Sequence, residues 1–202
     1  NIIGIMSGTS LDGIDIVYVH FEKNEKWTYK VENTIPYKYS KEWFEKLKMS
    51  VNLSKMDLAK LDQEYTLLLS KQILRFMNEF SIKDIDAVSS HGHTVFHNPK
   101  NEYTYQIGNL PEISKAIGHK VICNFRKQDV LLGGQGAPLV PVGEKYLFSE
   151  YNSCINLGGF ANISKALGGK LIAYDICPVN TVLNYLSKKM NLDFDKDGEI
   201  SK

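Results

Sequence analysis

Cysteine is scarce in this chain of 202 residues: Cys123, Cys154 and Cys177 stand far apart, and no C-x-x-C occurs. An odd, dispersed set argues against a disulfide framework and a structural zinc site and suits a reducing compartment. An excess of one charge is also missing, since 24 Lys and Arg face 23 Asp and Glu for a formal net charge of +1. No diffuse positive field exists to hold nucleic acid or an anionic membrane, so any phosphate recognition has to be local. Long apolar runs are absent too. The amino end shows no basic segment followed by an apolar one and a small-residue cleavage site. The expectation is a cytoplasmic protein without nucleic-acid or membrane partners. Asn1 opens directly inside a strand-like run and Lys202 closes a polar one, as the edges of a fragment would.

What is present is enough apolar material, 43% of residues, to fill a core. Asn1–Met6 and Ile14–Phe21 read as a β-hairpin, and Lys26–Pro36 as a third strand. Ser40 can cap a short helix carrying Trp43, Phe44 and Leu47. Ser54-Lys55-Met56-Asp57 resembles a capping box, after which Leu58, Leu61, Tyr65, Leu68, Leu69, Ile73, Phe76 and Phe80 recur at helical spacing. Ile85–Ser89 and Val121–Phe125 read as strands on either side of a helix over Pro111–Gly118. Ser153–Leu157, Asn162–Ala166 and Leu171–Tyr174 then restart a three-strand plan, and Pro178 suits the first turn of a helix over Val179–Met190. This layout predicts an α/β, RNase H-like domain over residues 1–151, with a mixed five-stranded sheet flanked by helices, and the start of a second over 152–202.

Five segments can carry chemistry. In Met6-Ser7-Gly8-Thr9-Ser10-Leu11-Asp12-Gly13-Ile14-Asp15, small side chains leave backbone N–H groups free to approach a polyphosphate, without the lysine of a Walker loop. The alternative is a plain hairpin turn. Acids beside a phosphate cradle make sense where Mg²⁺ intervenes, which makes Asp12 a candidate ligand. In Ser89-Ser90-His91-Gly92-His93-Thr94-Val95-Phe96-His97 the histidines share extended parity. A metal site, a structural cluster and sugar-hydroxyl recognition are the three readings, and the reach of an extended chain disfavours the first. Arg126, just past a strand, can clamp a carboxylate or phosphate beside Gly133-Gly134-Gln135-Gly136, or serve as a surface ion-pair residue. Asp175, before the helix expected after Pro178, can act as a base on water or merely stabilise that helix end. Asp193-Phe194-Asp195-Lys196-Asp197-Gly198-Glu199-Ile200 matches the opening of a calcium loop, with an exposed acidic linker as the alternative.

In order, these segments resemble the anhydro-N-acetylmuramic acid kinases, sugar kinases of the actin, hexokinase and Hsp70 type. Ile5–Asp15 is similar to that family's first phosphate motif, and Ser90-His91-Gly92-His93-Thr94-Val95 to its S-H-G-Q/H-T-V segment. Tyr105-Gln106-Ile107-Gly108 resembles its L-Q-I-G. Phe125-Arg126 with Gly133–Pro141 resembles F-R…G-G-Q-G-A-P-L-V-P, and Asn156–Asn162 resembles N-x-G-G-x-x-N. The resemblance implies conversion of ATP, water and 1,6-anhydro-N-acetylmuramic acid to N-acetylmuramic acid 6-phosphate and ADP, in peptidoglycan recycling. It implies Asp175 as the base on water and nucleotide binding over Gly8, Thr9, Ser10, Leu11, Asp12, Gly13, Ile14 and Asp15. It places His91, His93, Arg126, Gly133, Gly134 and Gln135 towards the sugar, and implies a homodimer.

Two departures accompany it. The family's D-T-G-P-G-N reads Asp175-Ile176-Cys177-Pro178-Val179-Asn180 here, without either glycine, and its D-F-R reads Asn124-Phe125-Arg126. The family's second half, with its adenosine pocket, lies beyond these residues, so the piece alone is expected to turn over little. Another sugar kinase of the same fold and a non-catalytic nucleotide- or muropeptide-binding protein are the competing readings.

Overall fold

A computed structural model describes residues 1–192 and 194–202; Asp193, first acid of the segment resembling a calcium loop, lies outside the described residues. Packing divides the chain into two compact units, Asn1–Ala137 and Pro138–Lys202.

In the first unit β1 (Ile2–Met6), β2 (Gly13–Lys23) and β3 (Trp27–Lys38) form an antiparallel meander. Helices α1 (Lys41–Met49) and α2 (Lys55–Glu79) follow, then β4 (Ala87–Ser90), parallel to β1. A hairpin of β5 (His93–Asn98) and β6 (Tyr103–Ile107), helix α3 (Glu112–Ile117), β7 (Val121–Ile122) parallel to β4, and helix α4 (Phe125–Leu131) complete it. The sheet is five-stranded and mixed, in the order β3-β2-β1-β4-β7, the arrangement of an actin-like, RNase H-type domain.

The alternation in β1 and β2 sends Ile3, Ile5, Ile14 and Ile16 to one face, where they meet the α2 stripe of Leu58, Leu61, Tyr65, Leu69, Ile73 and Phe76. Burying each such side chain contributes roughly 1.5–3 kcal/mol. Ser54 caps α2 as its sequence suggests: its hydroxyl oxygen accepts from the Asp57 N–H at 3.2 Å, and the hydroxyl donates to the Asp57 carboxylate at 2.6 Å. Ser40 does the same for α1 through the Trp43 N–H.

Within the apolar stripe sits one acid. Asp62, 4% exposed, accepts from the Gly108 N–H at 2.7 Å and from the Tyr105 hydroxyl at 2.8 Å. These bonds pin the end of β6 to α2 and push the Tyr105 phenol well above its ordinary pKa, first through burial and then through Asp62. Gly108 is required there. Its φ is +91°, and a Cβ would lie 2.6 Å from the Tyr65 ring and 2.7 Å from Leu69.

In the second unit α5 (Val140–Leu147) precedes an antiparallel sheet of β8 (Ser153–Leu157), β9 (Phe160–Leu167) and β10 (Lys170–Pro178), ordered β10-β9-β8. Helix α6 (Asn180–Lys189) follows. The strand order repeats that of β1 to β3. Buried Glu144 of α5 accepts from the buried Ser164 hydroxyl of β9, which ties that helix to this sheet and places the packing boundary ahead of the sequence-based one after Tyr151.

Several local expectations change. The strand expected over Val121–Phe125 stops at Ile122, because Asn124 adopts φ +61° and turns the chain into α4. Pro178 closes β10 instead of opening a helix, and α6 starts only at Asn180. The hairpin β5–β6 and helices α4 and α5 have no counterpart in the sequence reading, since glycine, proline and single polar residues interrupt their periodicity.

Asp62→Ala is expected to lower stability by about 2–4 kcal/mol, because it strands a buried N–H and a phenol without partners. Urea unfolding measures it, and a loss under about 0.5 kcal/mol would refute the anchoring role.

Candidate functional site

The loop between β1 and β2 begins buried and becomes open. Ser7 is 1% exposed, whereas Thr9, Ser10 and Asp12 face solvent. A turn links the Leu11 N–H to the Gly8 carbonyl at 3.4 Å, with Leu11 at φ +58°, and the Ser10 hydroxyl donates to Asp12 at 2.8 Å. Asp15 sits in β2 beside Met6. Partial burial raises its carboxyl pKa, and the neighbouring Asp12 charge raises it further. The two carboxylates repel one another in this arrangement.

Strand β4 delivers His91 to the same edge, and α4 delivers Arg126. The guanidinium meets His91 Nε2 at 2.8 Å through Nη2 and donates to the Gly136 carbonyl through Nη1. His91 Nδ1 lies 2.8 Å from the Gly92 carbonyl, so the proton resides on Nδ1 and Nε2 accepts from Arg126. Burial first, and the Arg126 charge last, hold the His91 pKa below its ordinary value, which keeps it in that neutral form. Arg126 Nε is buried without a partner, and among the described residues no carboxylate lies within 4.0 Å of its guanidinium. A largely buried cation without a counter-charge suits an anionic ligand.

Met6, Asp15, Ser89, His91 and Phe125 line one cavity of about 280 Å³ at this edge of the sheet. The cavity lies over β1, β2 and β4, reaching Met6 and Asp15 on either side of the loop together with His91, while neither the loop itself nor Arg126 lines it.

His93 takes a different position from His91. It is 3% exposed, its ring lies edge-on to Tyr65 at 6.0 Å between centroids, and its Nδ1 has no partner. Burial brings its pKa down to about 4. His97, on the exposed end of β5, contacts the Thr104 hydroxyl at 3.2 Å. No group of three or more His, Cys, Asp or Glu side chains able to hold a metal occurs among the described residues.

The glycine-rich segment after α4 wraps an acid that the sequence reading passed over. Asp129 accepts from the Gly136 N–H at 2.7 Å through its side chain and from the Gly134 N–H at 2.8 Å through its carbonyl. A Cβ on Gly134 would lie 2.2 Å from the Asp129 carboxylate, so that glycine allows the loop to close on it. Gly133 and Gln135 remain exposed. An acid a few residues ahead of a Gly-x-Gly segment was the available signal.

In the second unit Asp175 stands exposed inside β10, opposite Asn162 of β9, which in turn stands opposite Asn156 of β8. Directly opposed residues share a face, so Asn156, Asn162 and Asp175 form one polar row across the sheet. A bulge follows between Asp175 and Cys177, and α6 begins beyond Val179, so Asp175 is not in that helix's first turn. The Gly158-Gly159 turn holds the start of α6: the Gly159 carbonyl accepts from the Val179 N–H at 2.9 Å and the Thr181 hydroxyl at 3.0 Å. Asp195 spends its carboxylate on the N–H groups of Ile200 and Ser201, at 2.9 and 3.2 Å, which makes it a turn cap.

Comparison with known proteins places these features in context. A sequence model of the family described as Anhydro-N-acetylmuramic acid kinase matches residues 1–202. The protein of that name from Haemophilus influenzae is 34% identical over 209 residues, covering 98% of this chain and 54% of its own length. Those from a Sulfurovum species and Idiomarina loihiensis are 34% and 36% identical, covering 98% and 90% of this chain and 56% and 52% of their own. The chain spans about half the length of these curated relatives.

Neutral burial of His93 has a pH consequence. An unfolded histidine titrates near 6.5 and folded His93 at about 4, so between those values the unfolded chain binds more protons and folding stability falls as pH drops. His93's share reaches about 3 kcal/mol by the lower limit. Urea midpoints measured from pH 7 down to pH 4 should fall less steeply for His93→Leu than for the parent, and equal slopes would refute the assignment.

Proposed function

This chain belongs to the anhydro-N-acetylmuramic acid kinase family, and on that premise we propose that the protein is an ATP-dependent kinase converting 1,6-anhydro-N-acetylmuramic acid and water to N-acetylmuramic acid 6-phosphate. The observation that carries this reading is the His91–Arg126 corner, a cation without a counter-charge, tied to the small-residue loop by the Ser7 hydroxyl donating to the Gly92 carbonyl. Among the described residues no helix is long and apolar enough to cross a membrane; a cytoplasmic peptidoglycan-recycling role is part of the proposal. A homodimer belongs to the same proposal.

In this reading the loop from Gly8 to Asp15 cradles the nucleotide phosphates with backbone N–H groups and hydroxyls. Asp12 would hold Mg²⁺ with Asp15 near it, and the phosphates would complete the shell, since the described side chains offer no three-ligand cluster. Mg²⁺ when bound neutralises charge on the transferring phosphoryl group. Arg126 takes the lactyl carboxylate of the sugar, because it is the cation lacking a counter-charge. His91 fixes the orientation of Arg126, and His93 supports the loop from beneath. Gly133, Gly134 and Gln135 border the sugar through the segment that Arg126 holds.

Asp175 is proposed as the base. It takes a proton from water as the water oxygen bonds to C1, the C1–O6 bond breaks, and O6 accepts the γ-phosphoryl group as ADP leaves. Its exposure leaves it open to substrate, and the Asn156–Asn162 row supplies neighbouring amides that can orient water.

With the full-length protein, ADP release should require both Mg²⁺ and the anhydro sugar, and Asp175→Asn should lower kcat on the order of 10²–10⁴-fold. An intact protein that binds ATP without turnover would instead favour the binding-protein reading, with Ile176 to Val179 in place of the family's Thr-Gly-Pro-Gly as its cause.

A further inference from the structure

Helix α4 carries, one turn beyond Arg126, a half-buried acid that the proposed reaction does not use. Asp129 and Arg126 form no ion pair with one another. They act instead on the two ends of a single residue. The Asp129 carboxylate accepts from the Gly136 N–H at 2.7 Å, and Arg126 Nη1 donates to the Gly136 carbonyl. Gly136 is buried at φ +67°, where a Cβ would lie 2.7 Å from Val130 Cγ2 and 3.0 Å from Arg126 Cγ, so the loop rests directly on the helix.

From Gly136 the contacts run on into the corner. Arg126 Nη2 donates to His91 Nε2 at 2.8 Å, and His91 Nδ1 donates to the Gly92 carbonyl at 2.8 Å. A guanidinium is planar, so a fixed acceptor at each Nη sets its plane and with it the direction of the unpartnered Nε. One of those acceptors, His91, is held at the end of β4 by Gly92. The other is a carbonyl in a loop of glycines, which have no side chains to anchor it. Asp129 supplies the anchor twice, through its own carbonyl to the Gly134 N–H at 2.8 Å and through its carboxylate to the Gly136 N–H. The second bond is charge-assisted and therefore the stronger.

We infer that Asp129 is a positioning residue for the sugar site, whose carboxylate holds Gly136 so that the Gly136 carbonyl and His91 together aim the Arg126 guanidinium at its anion. The need is for an acceptor at this place and not for a negative charge, since a charge of that sign near an anion site opposes the ligand. Asparagine and alanine are thereby separated. The amide oxygen of an asparagine can accept from the Gly136 N–H, whereas alanine leaves that buried donor bare and the loop free to move.

This inference deepens the kinase reading and rests on it, so one arm of its test is independent of turnover. In full-length protein, Asp129→Ala and Asp129→Asn are compared with the parent by nitrogen-15 NMR of the Arg126 guanidinium, assigned through Arg126→Lys, and by kinetics for each substrate. Held Nη atoms give separate signals, and a freely rotating guanidinium gives one. The expected result is separate signals in the parent and in Asp129→Asn, and a single averaged signal in Asp129→Ala. KM for the anhydro sugar should rise on the order of ten-fold in Asp129→Ala and about three-fold or less in Asp129→Asn, with KM for ATP within about two-fold in both. Separate signals that persist in Asp129→Ala would overturn the inference, as would averaged signals in the parent or an unchanged sugar KM in Asp129→Ala. A joint rise of both KM values with lowered Tm would make Asp129 a general loop cap and overturn it too. Should Asp129→Ala fail to fold, Asp129→Glu, with its carboxylate displaced by one methylene, decides by the same criteria. A parent without turnover counts against the kinase reading, and the guanidinium signals still judge the clamp.

Discussion

The parallel insertion of β4 beside β1, and of β7 beside β4, is the constraint on which the chemistry of the first unit depends. Parallel strands end at the same edge of a sheet, and the loops leaving that edge are brought together whatever their separation in sequence. Ser7 follows β1, His91 follows β4, and Arg126 opens the helix after β7. Ser7 therefore reaches Gly92 from the neighbouring strand, and His91 reaches Arg126 from the next. Strand β2 runs the other way and β3 returns in the direction of β1; the pair contributes mainly framework and the acids at the start of β2.

Placing polar groups at that edge creates a second requirement, since each buried donor and acceptor needs a partner. Most are satisfied locally: Asp62 by Gly108 and Tyr105, Asp129 by Gly136, Ser7 by Gly92, and His91 by Gly92 and Arg126. Among the described residues three side-chain atoms are exceptions: Gln72 Oε1 on α2, and two near the sheet edge. Arg126 Nε and His93 Nδ1 are buried and unpartnered on either side of the same short segment. One belongs to a cation that lacks a counter-charge, and the other to a histidine kept neutral. The corner is thus neutral at its base and positive at its rim, an arrangement fit for an anion arriving from solvent.

The second unit uses the same strand order for a different purpose. Its sheet carries the row Asn156, Asn162 and Asp175, and its glycine pair Gly158-Gly159 accepts the start of α6 through backbone carbonyls. Ile176 and Cys177 stand where the family has a threonine and a glycine. Both lie in β10 at or beside its bulge, and the strand runs on to Pro178. Asp175 accordingly sits within a strand and not in the first turn of a helix.

The sequence alone determined the elements whose periodicity is uninterrupted: the β1–β2–β3 meander, α2 with its Ser54 cap, and the three strands β8 to β10. Their apolar spacing fixes which face is buried, and no distant residue is needed to decide it. It also marked the glycine-flanked segments that hold Ser7, His91 and Arg126, because glycine and small polar residues in clusters are local signals. Tertiary structure decided what those segments do to one another. Identical chemistry in His91 and His93 diverges because one faces Arg126 and lines a cavity while the other is buried against Tyr65. Asp62, Asp129 and Tyr39 drew no attention in the sequence, and Tyr65 counted only as one apolar residue of the α2 stripe, since an acid or a tyrosine on a helix or beside a strand looks ordinary. Their partners come from other elements, and long-range pairing is a property of the folded packing that no local pattern carries.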